Sequence, residues 1–171
     1  CELSTCDELV GTEMIYGSLF TGLNIKQTCA LCSCLVFDEV SASKEDQKPQ
    51  LEADLETPHN QLVESIKLVG NIVKECSIPI ELDQYIRSFN PFLMNAVYKW
   101  CEGASFAEIM KMESKSGVFE GTIIRVMRRV EELLRQFAAA SGAMGNEEQE
   151  EHFNKCIAKI KRDIVFAASL Y

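Results

Sequence analysis

Between Phe119 and Ser141, the residues Ile123, Met127, Val130, Leu134 and Phe137 recur at spacings of four, three, four and three. At about 100° per residue these five side chains share a narrow arc of a helix. Burying that arc requires other helices or a sheet beside it. The opposite arc carries Arg125, Arg128, Arg129, Glu132, Arg135 and Gln136. The spacing therefore predicts an amphipathic helix over about 119–141 with an arginine-rich outer face.

The rest of the chain reads the same way. Thr5 to Glu8 forms a capping box, predicting a helix over about 6–18 through Val10, Met14 and Tyr16. Asn24 and Gln27 open a second, to about Asp38, through Ala30, Leu31, Cys34 and Leu35. Residues 41–57 lose periodicity and read as a polar loop. Thr57-Pro58 restarts a helix, with Leu62, Ile66, Val69 and Val73 on its inner face. A short helix follows at about 81–88. Asn90-Pro91 opens another through Leu93, Val97, Tyr98 and Trp100, stopped near Gly103, and Trp100 is expected in the core. Ser105 to Glu108 caps a short helix at about 106–112. Gly142 and Gly145 are expected to break the arginine helix. Asn146 and Gln149 then cap a final helix whose stripe is Phe153, Ile157, Ile160, Ile164 and Ala168. No segment alternates with period two. The expected fold is all-α, a multi-helix bundle of about seven helices forming a single domain over 1–171.

Composition constrains function less. No apolar run approaches the roughly 18 residues that a membrane span needs, so no membrane partner is expected. The first residue is Cys1 rather than Met, which suggests a piece of a longer protein. The net charge of −9 opposes nucleic-acid binding as an average. Binding responds to local charge, however, and the arginine face is local. That face has two readings from pattern alone. It is either a solvated surface with Arg128–Glu132 and Glu131–Arg135 pairs, or a surface for phosphates and bases. Arginine offers phosphate a planar donor fork and offers a base a flat stacking face.

Eight cysteines lie at 1, 6, 29, 32, 34, 76, 101 and 156, mostly within apolar helical patterns. This favours reduced thiols in an intracellular protein. A zinc site needs about four ligands, and Cys29, Cys32 and Cys34 cannot share one helix face, so thiols without metal are expected. His59 and His152 are expected at the surface. No G-x-x-x-x-G-K-[ST] string and no DExH box occur, so no ATP hydrolysis and no catalytic residue are expected here.

The stretch from 118 to the end carries more than pattern. It contains Val-Phe-Glu-Gly-Thr-Ile-Ile-Arg (118–125) and Arg-Arg-Val-Glu-Glu-Leu-Leu-Arg-Gln (128–136). It closes on Ile-Lys-Arg-Asp-Ile-Val-Phe-Ala-Ala-Ser-Leu-Tyr (160–171). Upstream stand Asp-Glu-Leu-Val (7–10), Val-Tyr-Lys-Trp (97–100) and Gly-Ala-Ser-Phe (103–106). Together these closely resemble the C-terminal DSHCT domain of exosome-associated DExH-box RNA helicases. A nuclear branch, in the TRAMP polyadenylation complex, and a cytoplasmic superkiller-type branch share this ending. The 119–121 and 131–136 strings resemble the nuclear one more, so nuclear localisation is expected, with cytoplasmic the alternative.

The resemblance implies a domain of an ATP-dependent 3′–5′ RNA helicase that feeds RNA to the exosome. Such a domain packs against two RecA-like motor domains of the same chain, which hold ATP and Mg²⁺. It meets exosome and TRAMP-type adaptor proteins only through the parent. The stretch 119–141 matches the family's ratchet helix, which touches the translocating single-stranded RNA. Arg129 and Glu132 match its RNA-facing positions, Arg125 lies one turn earlier, and Arg128 completes the candidate set. The alternative is a helical protein–protein interaction module with no RNA role. Two departures stand out: the connection Glu-Ser-Lys-Ser-Gly (113–117) is longer than usual, and the chain stops at Tyr171 where relatives commonly add a Leu.

Overall fold

A computed structural model describes residues 7–37 and 49–162. It contains α1 (Glu8–Tyr16), α2 (Ile25–Val36), α3 (Ala53–Glu75) and α4 (Leu82–Arg87). A 3₁₀ turn at Pro91–Leu93 then runs into α5 (Met94–Glu102), followed by α6 (Phe106–Glu113), α7 (Glu120–Ala143) and α8 (Glu147–Ile160). The described residues contain no strand, and the fold is all-α as expected, with eight α-helices in place of about seven.

The architecture is built around α2. Its residues 28–36 are all buried, on every face. A helix apolar all round must be enclosed, and α3, α5, α7 and α8 enclose it. Arrangement on all sides explains how Cys29, Cys32 and Cys34 can all be buried although they point in different directions. α7 packs most extensively on α8 and also on α2. Two neighbours need a wide stripe, so Ile124, Val126, Leu133 and Ala138 are buried beside the five residues of the predicted arc. Phe20, from the turn after α1, meets Phe137 and Phe153 in a three-ring cluster between α7 and α8.

Several helix ends follow the sequence. Asn24 and Gln27 form a reciprocal capping box, as do Ser105 and Glu108. Gly103 ends α5 at φ 108°, a left-handed conformation that glycine adopts without a Cβ clash.

Others differ. Thr5 lies outside the described residues, and Asp7 caps α1, its carboxylate accepting from the Leu9 and Val10 amides. Tyr16 is exposed rather than buried. α3 begins at Ala53, so 53–57 is helix rather than loop, and Pro58 sits inside it; residues 41–48 lie outside the described set. Two tertiary contacts account for this. Asn95 of α5 clasps the chain ahead of α3, accepting from the Glu52 amide at 2.9 Å and donating to the Gln50 carbonyl at 2.7 Å. Pro58 lacks the N–H that would bond to the Asp54 carbonyl. The Gln27 side-chain amide donates to that carbonyl instead, at 2.9 Å.

Gly142 continues α7 rather than breaking it. It leaves room for Glu150, whose carboxylate would lie 2.8 Å from an added Cβ. The break comes at Gly145, at φ 77°. The final helix ends earlier than its stripe suggests: Lys161 and Arg162 are not helical, while Ile164 and Ala168 lie outside the described residues. Trp100, fully buried as expected, explains this end. Its indole N–H donates to the Ile160 carbonyl at 2.8 Å. The Arg162 guanidinium lies 3.6 Å over its ring and donates to the Trp100 and Ala104 carbonyls.

Candidate nucleic-acid interface

The inner face of α7 is fixed by the core, which leaves its outer face to solvent. Arg125, Arg128, Glu132 and Arg135 are exposed there. Gly121, Ile124, Arg125, Arg128, Arg129 and Glu132 line one shallow, open groove of about 400 Å³. All four candidate residues thus border a single concavity. Gly121 also borders it, with nothing within 4 Å of an added Cβ.

The four residues are not equivalent. Arg129 is half-buried, and its guanidinium donates to the Val36 carbonyl at 3.1 Å. Val36 is the last residue of α2, whose final carbonyls have no partner within the helix. A cation at that end also complements the helix dipole. Arg129 therefore fastens α7 to the central helix while bordering the groove. Arg125, Arg128 and Glu132 reach further into solvent. Arg135 forms an ion pair with Glu131 along the helix, as its spacing predicted. Gln136 is half-buried, and its carbonyl oxygen accepts no hydrogen bond.

Chemically, the groove offers planar cationic donors around one carboxylate. That arrangement suits a phosphodiester backbone, whose anionic oxygens accept bidentate bonds, with Glu132 available to a base amino group or to a guanidinium. It offers no nucleophile and no activated base.

Sequence reasoning missed Phe119. It precedes α7 as the N-cap residue, makes no capping bond, and is 80% exposed. An aromatic ring where Ser, Thr, Asp or Asn would satisfy the helix is the signal that could have singled it out. Both histidines also depart from expectation. His59 and His152 are half-buried, and the His152 Nε2 lies 2.8 Å from the Thr28 hydroxyl. α8 presses this side of His152 onto α2, which periodicity within α8 could not reveal. The six described cysteines are free thiols, and only Cys76 is exposed. Among the described residues, no group of three or more His, Cys, Asp or Glu side chains is placed to hold a metal ion. No helix among them is long and apolar enough to cross a membrane.

Comparison with known proteins identifies the family. Residues 1–167 match the DSHCT (NUC185) domain. The chain is 48% identical over its full length to the exosome RNA helicase MTR4 of Homo sapiens. It is 45% identical to the mRNA transport homolog 4 of Caenorhabditis elegans and 42% to the ATP-dependent RNA helicase mtr4 of Schizosaccharomyces pombe, again over all of this chain. It spans only 16% of the length of the human and nematode relatives and 15% of the yeast one. An all-α bundle with a long arginine-faced helix, matched by the domain over nearly every residue, belongs to the DSHCT (NUC185) domain family.

Proposed function

We propose that this chain is one DSHCT-like helical domain of an ATP-dependent 3′–5′ RNA helicase that feeds RNA to the exosome. In this reading it supports two RecA-like motor domains and contacts the translocating single strand. The observation that carries it is the groove on the outer face of α7, bordered by Arg125, Arg128, Arg129 and Glu132. These residues project from a helix held rigidly on its other side by α2 and α8. A rigid cationic rail suits a strand that must move past it, because phosphate contacts are independent of sequence.

The chain has neither a phosphate-cradling glycine loop nor a DExH box. Its residues do not fit ATP or Mg²⁺, and that chemistry belongs to the motor domains of the parent. Nuclear residence and TRAMP-type adaptors are part of the proposal, supported by likeness to the MTR4 proteins.

The test is RNA crosslinking of the full-length parent, mapped by mass spectrometry. Crosslinked peptides from 119–141 are expected alongside those of the motor domains. Efficient labelling of the motor domains with none in 119–141 would leave this face as an interaction surface without an RNA role.

A further inference from the structure

Past Glu132 the outer stripe of α7 carries one more polar residue. At about 100° per residue, Arg125, Arg129, Glu132 and Gln136 fall within an arc of about 60°. α7 is helical from Glu120 to Ala143, so this register holds through Gln136. At about 1.5 Å per residue, Gln136 stands about 6 Å beyond Glu132 along the axis. It is half-buried, and its Oε1 is enclosed yet accepts no hydrogen bond among the described residues. The next positions on the stripe, Ala139 and Ala143, are exposed and present only methyl groups. A strand leaving the groove at this end passes Gln136 as the last hydrogen-bonding side chain of the stripe and meets no bulky one after it.

An enclosed amide oxygen without a donor is costly. The side chain borders solvent, so a change of rotamer brings that oxygen to the surface of the stripe, where a ligand's donor satisfies it. Resting on the RNA-contacting reading of α7, we propose that Gln136 is a specificity residue of that path: its Oε1 accepts a hydrogen bond from a ribose 2′-hydroxyl of the passing strand. The chemistry narrows the donor to this group. Phosphate oxygens only accept, so they answer the arginines and not an amide oxygen. Base N–H groups differ from base to base, and a moving strand presents each base in turn. The 2′-hydroxyl is a donor carried by every ribonucleotide and by no deoxyribonucleotide. Arg125 and Arg128 thus hold a strand of either sugar, and Gln136 favours RNA.

The test uses the full-length parent helicase on a duplex whose single-stranded 3′ extension is made either of ribonucleotides or of 2′-deoxyribonucleotides. The readout is the ratio of the two unwinding rates. Sugar contacts made elsewhere in the parent are common to every variant, so a change of ratio belongs to the substituted residue. Gln136→Met keeps the length of the side chain and removes the amide. It should lower the ratio about fivefold, the worth of one ordinary hydrogen bond. Gln136→Glu keeps an acceptor oxygen. It should slow both substrates by repelling phosphate and retain the ratio. Arg125→Ala should slow both substrates alike, since phosphate contacts do not read the sugar.

An unchanged ratio in Gln136→Met, or an equal loss of ratio in Gln136→Glu, would overturn the role of Gln136. If Arg125→Ala still slows unwinding in that case, the groove keeps its RNA contact and only the sugar reading fails. If Arg125→Ala and Gln136→Met both unwind like the wild type, the RNA-contacting reading of α7 fails with it. A merely structural Gln136 would slow both substrates equally on replacement by Met, which is the unchanged ratio that overturns the inference.

Discussion

Replacing Arg129 with alanine separates two roles that the groove superimposes. The side chain borders the candidate RNA path and also donates to the Val36 carbonyl at 3.1 Å. A hydrogen bond to a charged group contributes about 1.5–3 kcal/mol, and loss of the donor leaves a carbonyl at the negative end of α2 without its cation. Arg129 is half-buried, so water can partly replace it, and the low end applies. The expected loss is about 1.5 kcal/mol, or a fall of roughly 3–6 °C in Tm for a chain of this size. Arg125, exposed one turn earlier, should lose less than about 0.5 kcal/mol on the same replacement. The assay is urea unfolding of both variants followed by circular dichroism at 222 nm. Equal stability of Arg129→Ala and Arg125→Ala, with unchanged urea dependence, would refute the fastening role. A loss confined to Arg129→Ala would mean that unwinding defects from this residue include a displaced α7, and that Arg125→Ala is the cleaner probe of RNA contact.

Three further outcomes are expected. Trp100→Phe removes the donor to the Ile160 carbonyl and shrinks the platform under Arg162, and should cost on the order of 3 kcal/mol in thermal or urea unfolding; a cost below about 1 kcal/mol would contradict the described end of α8. Gln27→Ala removes half of a capping box and the donor that replaces the missing Pro58 amide, and should cost about 1–2 kcal/mol. Combining it with Pro58→Ala should recover part of that loss, and no recovery would separate the two residues. Gly121→Ala places a methyl group in open space within the first turn of α7 and should stabilise by about 0.5 kcal/mol, measured by the same unfolding curves; destabilisation would show that the turn needs glycine.

Much of the helical order was legible because it is local. Asn24 with Gln27 and Ser105 with Glu108 satisfy their own helix ends, so three or four residues suffice to read them. The stripe of α7 was equally legible, since Ile123 to Phe137 encode one direction of burial. The candidate site was legible as a face, and the groove gathers Arg125, Arg128, Arg129 and Glu132 along one side of that helix. What it could not give was the difference among them. The partner of Arg129 is ninety-three residues away in the chain.

The same division applies throughout the protein. Periodicity and capping chemistry determined that this chain is all-α and that an arginine-rich face points outward from a long amphipathic helix, because those signals repeat within one or two turns. Only the tertiary structure decided where α3 begins, why Pro58 is tolerated, that Gly142 continues a helix, and that His152 meets Thr28 and Cys156 against α2. Each of those outcomes depends on a polar or steric partner supplied by a different helix. A single stretch of sequence records the need of a backbone carbonyl or an imidazole for a partner, while the packing of helices around α2 chooses which residue answers it.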